Sequence, residues 1–323
     1  MVQKTKTPIF RFNLQRFNGA GVILSSSLSG LIPEETSQEI IKDVVRGSTI
    51  LKLAQLEPMT TETKKIPVFL DKPGAYWVGE GERIKTSSAR WTQVTLTAKK
   101  LAVIIPLTKE ALNRSRVDVF EELKPYVVEA FYTKLDAATI MGTETPFTSD
   151  ILTAATKAGN SFTRGSVSGQ NLADDVNSVM ALIEADDQEP RAFAAHNGLK
   201  SSLRGLKNSN GDPLYLTSVR EGVTEDSLYS LPIEYSRNGA WDKTKADLIA
   251  GDFKKAKVGI LKDIEYEILK EATLQSISGA DGKPLSLAEQ DMVALKATFQ
   301  VAFLVIKEGA FGVLRPTGFV PTP

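Results

Sequence analysis

Residues 71–91, DKPGAYWVGEGERIKTSSARW, form a polar, glycine-bearing segment between two β-prone runs, KKIPVFL (64–70) and TQVTLTAKKLAVIIPLT (92–108). On the return run Val94, Leu96 and Ala98 alternate with Gln93, Thr95 and Thr97, and further on Leu101, Val103, Ile105 and Leu107 recur at every second position. That period predicts strands with one buried face. The runs lie about twenty residues apart, far more than the roughly two to five that close an ordinary hairpin. A long arm with a polar tip cannot bury itself against its own domain, so it needs another surface, and a neighbouring subunit is the natural supplier. Gly74, Gly79 and Gly81 give the tip backbone freedom, Trp77 offers an anchor, and Glu80, Glu82, Arg83 and Lys85 offer charges. Trp77 and Trp91 bracket this tip, and Trp is enriched at contact centres.

The composition narrows the function classes. At 323 residues the chain exceeds one average domain, and roughly 150 residues per domain suggests about two packed units. A hydrophobic content of 42% beside 24% charged residues fits a globular protein with a sizeable core. No stretch approaches the roughly 18 apolar residues of a membrane span, and the basic, Phe-containing N-terminus lacks the apolar core of a signal peptide. The chain is therefore expected to stay in the cytoplasm of the cell that makes it, with no membrane partner. No cysteine and one histidine remove disulfides, thiolate nucleophiles, iron–sulfur sites and zinc sites that need two His or Cys ligands. Lys plus Arg and Asp plus Glu number 39 each, so there is no global basic field to hold nucleic acid. Residues 1–33 carry Lys4, Lys6, Arg11 and Arg16 and no acid, a local +4 that leaves −4 on the other 290 residues. Such an arm either touches DNA phosphates or an acidic partner, or is simply solvated.

Along the chain, residues 1–33 show no sustained period and read as an extended arm. Ile40, Ile41, Val44 and Val45 fall at helical spacing within 34–56, with a break near Gly47. A short helix is predicted over KEALN (109–113), and a long one over 118–141, capped by Asp118 and ended by Gly142. Its stripe is Phe120, Leu123, Val127, Phe131, Leu135 and Ala138. Pro125, inside that helix, is expected to bend it near its start. Residues 143–170 read as loop and linker from their Thr, Ser and Gly content. Asn171 to Ala185 reads as a second amphipathic helix, and 191–195 as a strand, with Asn197 capping a helix through Leu206. Strand-like pieces follow at 231–236, 246–253, 258–269 and 292–306.

Catalytic signatures are near misses. Gly19-Ala-Gly21 lacks the third glycine of a dinucleotide loop, Gly165-Ser-Val167-Ser-Gly169 puts Val where a hydrolase elbow needs Ser, and no phosphate loop is present. Asp174–Asp175 and Asp186–Asp187 flank one helix and read as dipole partners and a solvated end. His196 would have to be the base of any Ser-His-Asp site, and a structural histidine is the simpler reading. No catalytic, metal or cofactor site is expected.

Several stretches in order resemble tailed-bacteriophage major capsid proteins: YWVGEGERIKTS, LAVIIPLTKEALN, EAFYTKLDAATIMG, FAAHNGLKSSLRGLKNSNGDPLY, SLPIEYS, LIAGDFKKAKVGI and EQDMVALKATFQVAF. The resemblance implies the Hong Kong-phage capsid fold, an α+β phage capsid fold. It would comprise an N-terminal arm (1–33), a helix joining arm to body (34–56) and an extended loop (57–107). A peripheral domain (108–164 and 256–315) would hold the spine helix 118–141, beside an axial domain (165–255) and a tail (316–323). It implies a structural head protein that assembles as hexamers and pentamers into an icosahedral shell around double-stranded DNA, touched non-specifically. With about thirty residues before the first expected helix, it also implies a separate scaffolding protein, alongside a portal protein. The localisation implied is the virion capsid, with host cytoplasm during assembly. An encapsulin-like nanocompartment shell shares the fold, and a hydrolase using His196 is the rival from another class.

Two further readings rest on the family. Some members cross-link a loop lysine to a neighbour's asparagine. Lys85 is the candidate here, but no distinctive Asn or Glu partner stands out, so no cross-link is expected. RFNLQRFNGAG (11–21) resembles an Asn-Leu-Gln-x-Phe segment near the start of some phage capsid and ribosomal proteins, cut after the Phe by a host cysteine protease. The cut would fall between Phe17 and Asn18. Asn18 replaces the small residue usual there, and an uncut arm packed on a neighbour or scaffold is the alternative.

Overall fold

A computed structural model describes residues 47–319 except 72, 84–85, 88–89, 115–117, 208–211, 221–222 and 279–283. The expected N-terminal arm, the predicted helical residues before Gly47 and the candidate cleavage site Phe17/Asn18 lie outside the described residues. In chain order the elements are α1 (Thr49–Leu53), β1 (Gln55–Pro58), β2 (Thr63–Asp71), β3 (Arg90–Thr97), β4 (Lys99–Thr108), α2 (Lys109–Arg114) and α3 (Val119–Thr139). Then come α4 (Ile151–Lys157), β5 (Ser161–Thr163), α5 (Leu172–Ala185), β6 (Ala192–His196), α6 (Lys200–Leu203), β7 (Tyr215–Arg220), β8 (Val223–Leu228) and β9 (Leu231–Ser236). The chain closes with β10 (Leu248–Gly251), β11 (Ala256–Leu269), β12 (Thr273–Ser278), β13 (Pro284–Ser286), β14 (Met292–Val305) and β15 (Phe311–Arg315). The strands form a seven-stranded sheet ordered β5-β15-β10-β6-β9-β8-β7, a four-stranded sheet ordered β1-β11-β14-β4, and the pairs β2-β3 and β12-β13.

Two compact units are distinguished. Among the described residues the first comprises Leu101–Lys134 and Asp263–Phe299 with Gly47 and Ser48. Asp118 opens α3 as its sequence predicts, its carboxylate accepting N–H bonds from Phe120 (3.0 Å) and Glu121 (3.3 Å). The helix runs unbroken through Pro125. Phe120, Leu123, Val127 and Phe131 are buried along one stripe, and Phe131 stacks on Phe299 at 6.4 Å. A small separate core of Leu274, Ile277, Leu285, Leu287, Met292 and Ala294 holds the β12-β13 pair.

The second unit comprises Thr49–Lys100, Leu135–Lys262 and the chain from Gln300. Its centre is α5 packed on the seven-stranded sheet. Val176, Val179 and Ile183, fully buried, meet Phe193, Leu248, Ala250 and Leu314 in one core. Asn171 and Asp174 close the N-terminus of α5 as a capping box, which accounts for one acid of the first pair. Asp186 at the other end accepts a bond from the buried Asn160 amide (3.0 Å) rather than being only solvated. The stretch 143–170 is not all linker, because Asp150 caps α4 and buries Ile151, Leu152, Ala154 and Ala155. β5 then joins the sheet edge in parallel with β15, which itself pairs with β10. β5 and β15 thus belong to the same sheet as the expected axial strands, because the Phe311–Arg315 strand is buried throughout. Asn197 does not cap a helix with its side chain; it opens a 3-10 turn that runs into the short α6.

Gly142, at φ +64, ends the α3 segment by letting the Thr143 N–H return to the Ala137 carbonyl (3.0 Å). Just upstream, Asp136 is fully buried and accepts from Thr49 N (2.8 Å), Ile50 N (3.1 Å) and Asn238 Nδ2 (2.7 Å). One carboxylate thereby fixes the start of α1 and the turn after β9. Replacing Asp136 with Ala leaves these donors without their charged acceptor, at a cost of roughly 3 kcal/mol or more. The expected result in urea unfolding is a lower midpoint with an unchanged slope; an unchanged midpoint would remove Asp136 from this role.

Candidate subunit interface

The hairpin is built from β2 and β3 in antiparallel register, Thr63 opposite Thr97 through Phe69 opposite Trp91. The expected single return run is in fact two strands. It breaks at Ala98, whose N–H bonds the Glu62 carbonyl (2.8 Å), and β4 continues in a different sheet.

At its root the hairpin is held firmly. Leu96 is fully buried and packs with Met59, Ala302 and Leu304, with Ile66 and Val94 beside them. This contact needs Gly259: a Cβ there would lie 2.3 Å from Met59 Sδ and 2.7 Å from Leu96 Cδ2. Glu57 accepts from Lys257 (2.8 Å) and from Lys64 (3.0 Å). Those two bonds, Lys257 first, hold its carboxyl below the usual carboxylate range despite the opposing effect of burial. Glu57 was not anticipated, since nothing in its own neighbourhood announces that Lys257 lies beside it.

Away from the root burial fades. Along β3 the residues Arg90–Gln93 are exposed, and at the tip every described residue from 73 to 87 is exposed. Trp77 has the exposure of a free side chain (104%), with Tyr76 at 53%, Val78 at 38% and Trp91 at 60%. Trp241, by contrast, is core, its Nε1–H donating to the Ala246 carbonyl (2.6 Å).

The tip itself is ordered by its own bonds. Glu82 N donates to the Gly79 carbonyl (3.1 Å), and Gly79 N donates back to the Glu82 carboxylate (3.2 Å). Gly81, inside that turn, has φ +82, and Gly74 N donates to Ser87 Oγ (2.7 Å). Glu82 therefore spends part of its acceptor capacity within the turn, while Glu80 and Arg83 are exposed. Lys85 lies outside the described residues. Tyr76 and Val78, exposed on either side of Trp77, were not singled out from the sequence, where the apolar run AYWV inside a polar segment was the available signal.

The other candidate, His196, sits at the end of β6 with its Nε2 3.6 Å from Asp247 Oδ1. Asp247 is shared with Arg164 (3.4 Å). Among the described residues no group of three or more His, Cys, Asp or Glu is placed to hold a metal ion, and no helix is long and apolar enough to cross a membrane.

The hairpin is thus buried at its root and exposed at its described tip, with Trp77 the most exposed of the tip's aromatic side chains. The sequence profile of the Phage capsid family matches residues 29–315. The major capsid protein of Staphylococcus phage 80alpha is 38% identical over 306 residues, covering 94% of this chain and 90% of its own. The probable major capsid protein of Mycobacterium phage L5 is 24% identical, covering 88% and 89%. A solved structure from Microbacterium phage Oxtober96 superposes with TM-score 0.75 at 31% identity, covering 90% of this chain and 98% of its own. The chain belongs to the phage capsid family, and it is a structural protein of the virus shell. The nanocompartment and hydrolase readings are not favoured.

Trp77→Ala tests the tip directly. The side chain touches little within its own chain, so the free subunit should keep its unfolding temperature. Burying one tryptophan removes roughly 150–250 Å² from water, about 4–6 kcal/mol at about 25 cal/mol per Å². Particle yield by sedimentation should therefore fall steeply, and an unchanged yield would show that Trp77 is not an anchor.

Proposed function

We propose that the chain is the major head protein of a tailed bacteriophage, and that its hairpin, residues 57–107, lies on a neighbouring copy. The observation that carries the docking is the contrast between a buried root and a tip whose described residues are all exposed, Trp77 most of the aromatic ones. A two-stranded hairpin is marginal in water by itself, and an exposed tryptophan with flanking apolar residues suits a contact that forms on assembly. Trp77, Gly79, Glu80, Gly81, Glu82, Arg83 and Lys85 are the proposed contact residues.

In this reading residues 1–33 form an arm and 34–56 join it to the body. α3 is the spine of a peripheral domain, and the seven-stranded sheet is the core of the axial domain, taking in β5 and β15 with residues 165–255. Copies associate as hexamers and pentamers into an icosahedral shell in the host cytoplasm. A separate scaffolding protein, a portal protein and non-specifically held double-stranded DNA are its proposed partners. The near-zero net charge supports loose contact with DNA rather than tight binding.

Deleting residues 74–88 should leave a folded subunit by circular dichroism and abolish particles by negative-stain microscopy. Normal particles from that deletion would sink the docking role. Covalent cross-linking through Lys85 is not expected, so mature particles boiled in detergent should run as a single monomer band. A ladder of multimers would contradict this. For residues 11–21, the intact mass of virion protein separates the two arms directly: an N-terminus at Asn18 marks cleavage, and one at Met1 or Val2 an uncut chain.

A further inference from the structure

Asn-Gly is the dipeptide most prone to self-deamidation, because the residue after the asparagine has no side chain to obstruct its backbone nitrogen. The chain has four such steps, beginning at Asn18, Asn197, Asn210 and Asn238. Two of them fall on described residues within one compact unit, and their surroundings are opposite. Asn238 is buried (7% exposed), its Oδ1 accepting from Ser236 Oγ (3.0 Å) and Ala240 N (3.2 Å) while its Nδ2 donates to Asp136 (2.7 Å). That amide is pinned from both ends. Asn197 and Gly198 are exposed; the Asn197 backbone carbonyl accepts from Lys200 N and the Gly198 carbonyl from Ser201 Oγ (3.2 Å), while among the described residues no bond holds the Asn197 side-chain amide.

Beside Gly198 stands an unused base. The position a Cβ would take on Gly198 is 3.0 Å from His196 Nδ1 and 3.7 Å from Lys243 Nζ. Nδ1 is buried and has no hydrogen-bond partner. On the far side of the ring Nε2 faces Asp247, an orientation that favours the proton on Nε2 and leaves the Nδ1 lone pair free.

We propose that Asn197–Gly198 is a self-deamidation site in which His196 serves as the base and Asp247 orients it. The Gly198 N–H gives its proton to His196 Nδ1 as the nitrogen attacks Asn197 Cγ, forming a C–N bond. Lys243 favours the negative charge that develops on the side-chain oxygen. The imidazolium returns the proton to the departing amide nitrogen, ammonia leaves, and a five-membered imide remains. Water then opens the ring at either carbonyl, giving aspartate or isoaspartate at 197. The net change is amide plus water to carboxylate plus ammonium.

A helical turn holds the attacking nitrogen away from Cγ, so the turn must first open. It is well suited to do so: residues 197–203 are a 3-10 turn and a four-residue helix, neither with a side-chain N-cap, and such short segments open locally at low cost. Each conversion adds one negative charge at an exposed position and, for isoaspartate, a kink in the main chain. The inference does not depend on the assembly role.

The test uses the full-length protein, held at neutral pH for weeks and then digested under mildly acidic conditions to suppress conversion during work-up. Mass-spectrometric peptide mapping reads the acid fraction at 197 and 238 in the same sample. Asn197 should convert and Asn238 should stay an amide; equal conversion would overturn the proposal. His196→Gln should slow Asn197 by about 100-fold, the lower end of what a positioned base contributes, with circular dichroism confirming the fold. An unchanged rate would remove His196 as the base. Should that variant unfold, Asp247→Asn is read in its place, and a wild-type rate there counts equally against the proposal.

Discussion

A hairpin of two strands has no core, so its direction is decided where it leaves the body. That decision rests on a close approach of backbone and side chains at Gly259. With no Cβ at that position, Met59 and Leu96 pack onto β11, and Glu57 ties β1 to both β11 and β2 through two lysines. A side chain at 259 would force Met59 and Leu96 to give up the places in which they now seat the hairpin root on β11. The seat of the hairpin thus draws on a glycine buried inside the subunit.

The same logic applies at Asp136. A buried carboxylate is tolerated only where donors surround it, and here they come from two stretches distant in sequence, Thr49–Ile50 and Asn238. Both of these interactions gather distant segments onto a single polar or sterically empty point. Hydrophobic burial supplies the driving force of this unit, but these points fix which segments it brings together.

Much of this was legible in the sequence. Period-two alternation gave the strands around the arm, and a period of 3–4 with Asp118 and Gly142 gave α3 nearly to the residue, because local pattern and tertiary burial agree there. The linker at 143–170 hid α4 and β5, since Thr and Ser content suggested loop while Ile151, Leu152 and two alanines supplied the buried face. The break at Ala98 was hidden for a related reason: the alternation runs on across it, yet the partner strand changes. At the tip, the exposure of Trp77 agrees with its polar, glycine-bearing setting in the sequence. The internal use of Glu82 could not, because a carboxylate that closes a turn looks the same in sequence as one that waits for a partner. Glu57 and Gly259 owe their roles to residues far along the chain, and one sequence carries no trace of that proximity.

The three tryptophans have an optical consequence. In the single subunit Trp77 and Trp91 are solvated while Trp241 is buried with its indole N–H bonded. Two of the three indoles in the free protein therefore emit from water-exposed positions that quenchers in solution reach. Any association that covers the hairpin tip shifts that emission to shorter wavelength and shields it, while Trp241 stays constant as an internal reference. The chain carries a built-in fluorescent gauge of its own coverage, with no label needed to follow association in real time.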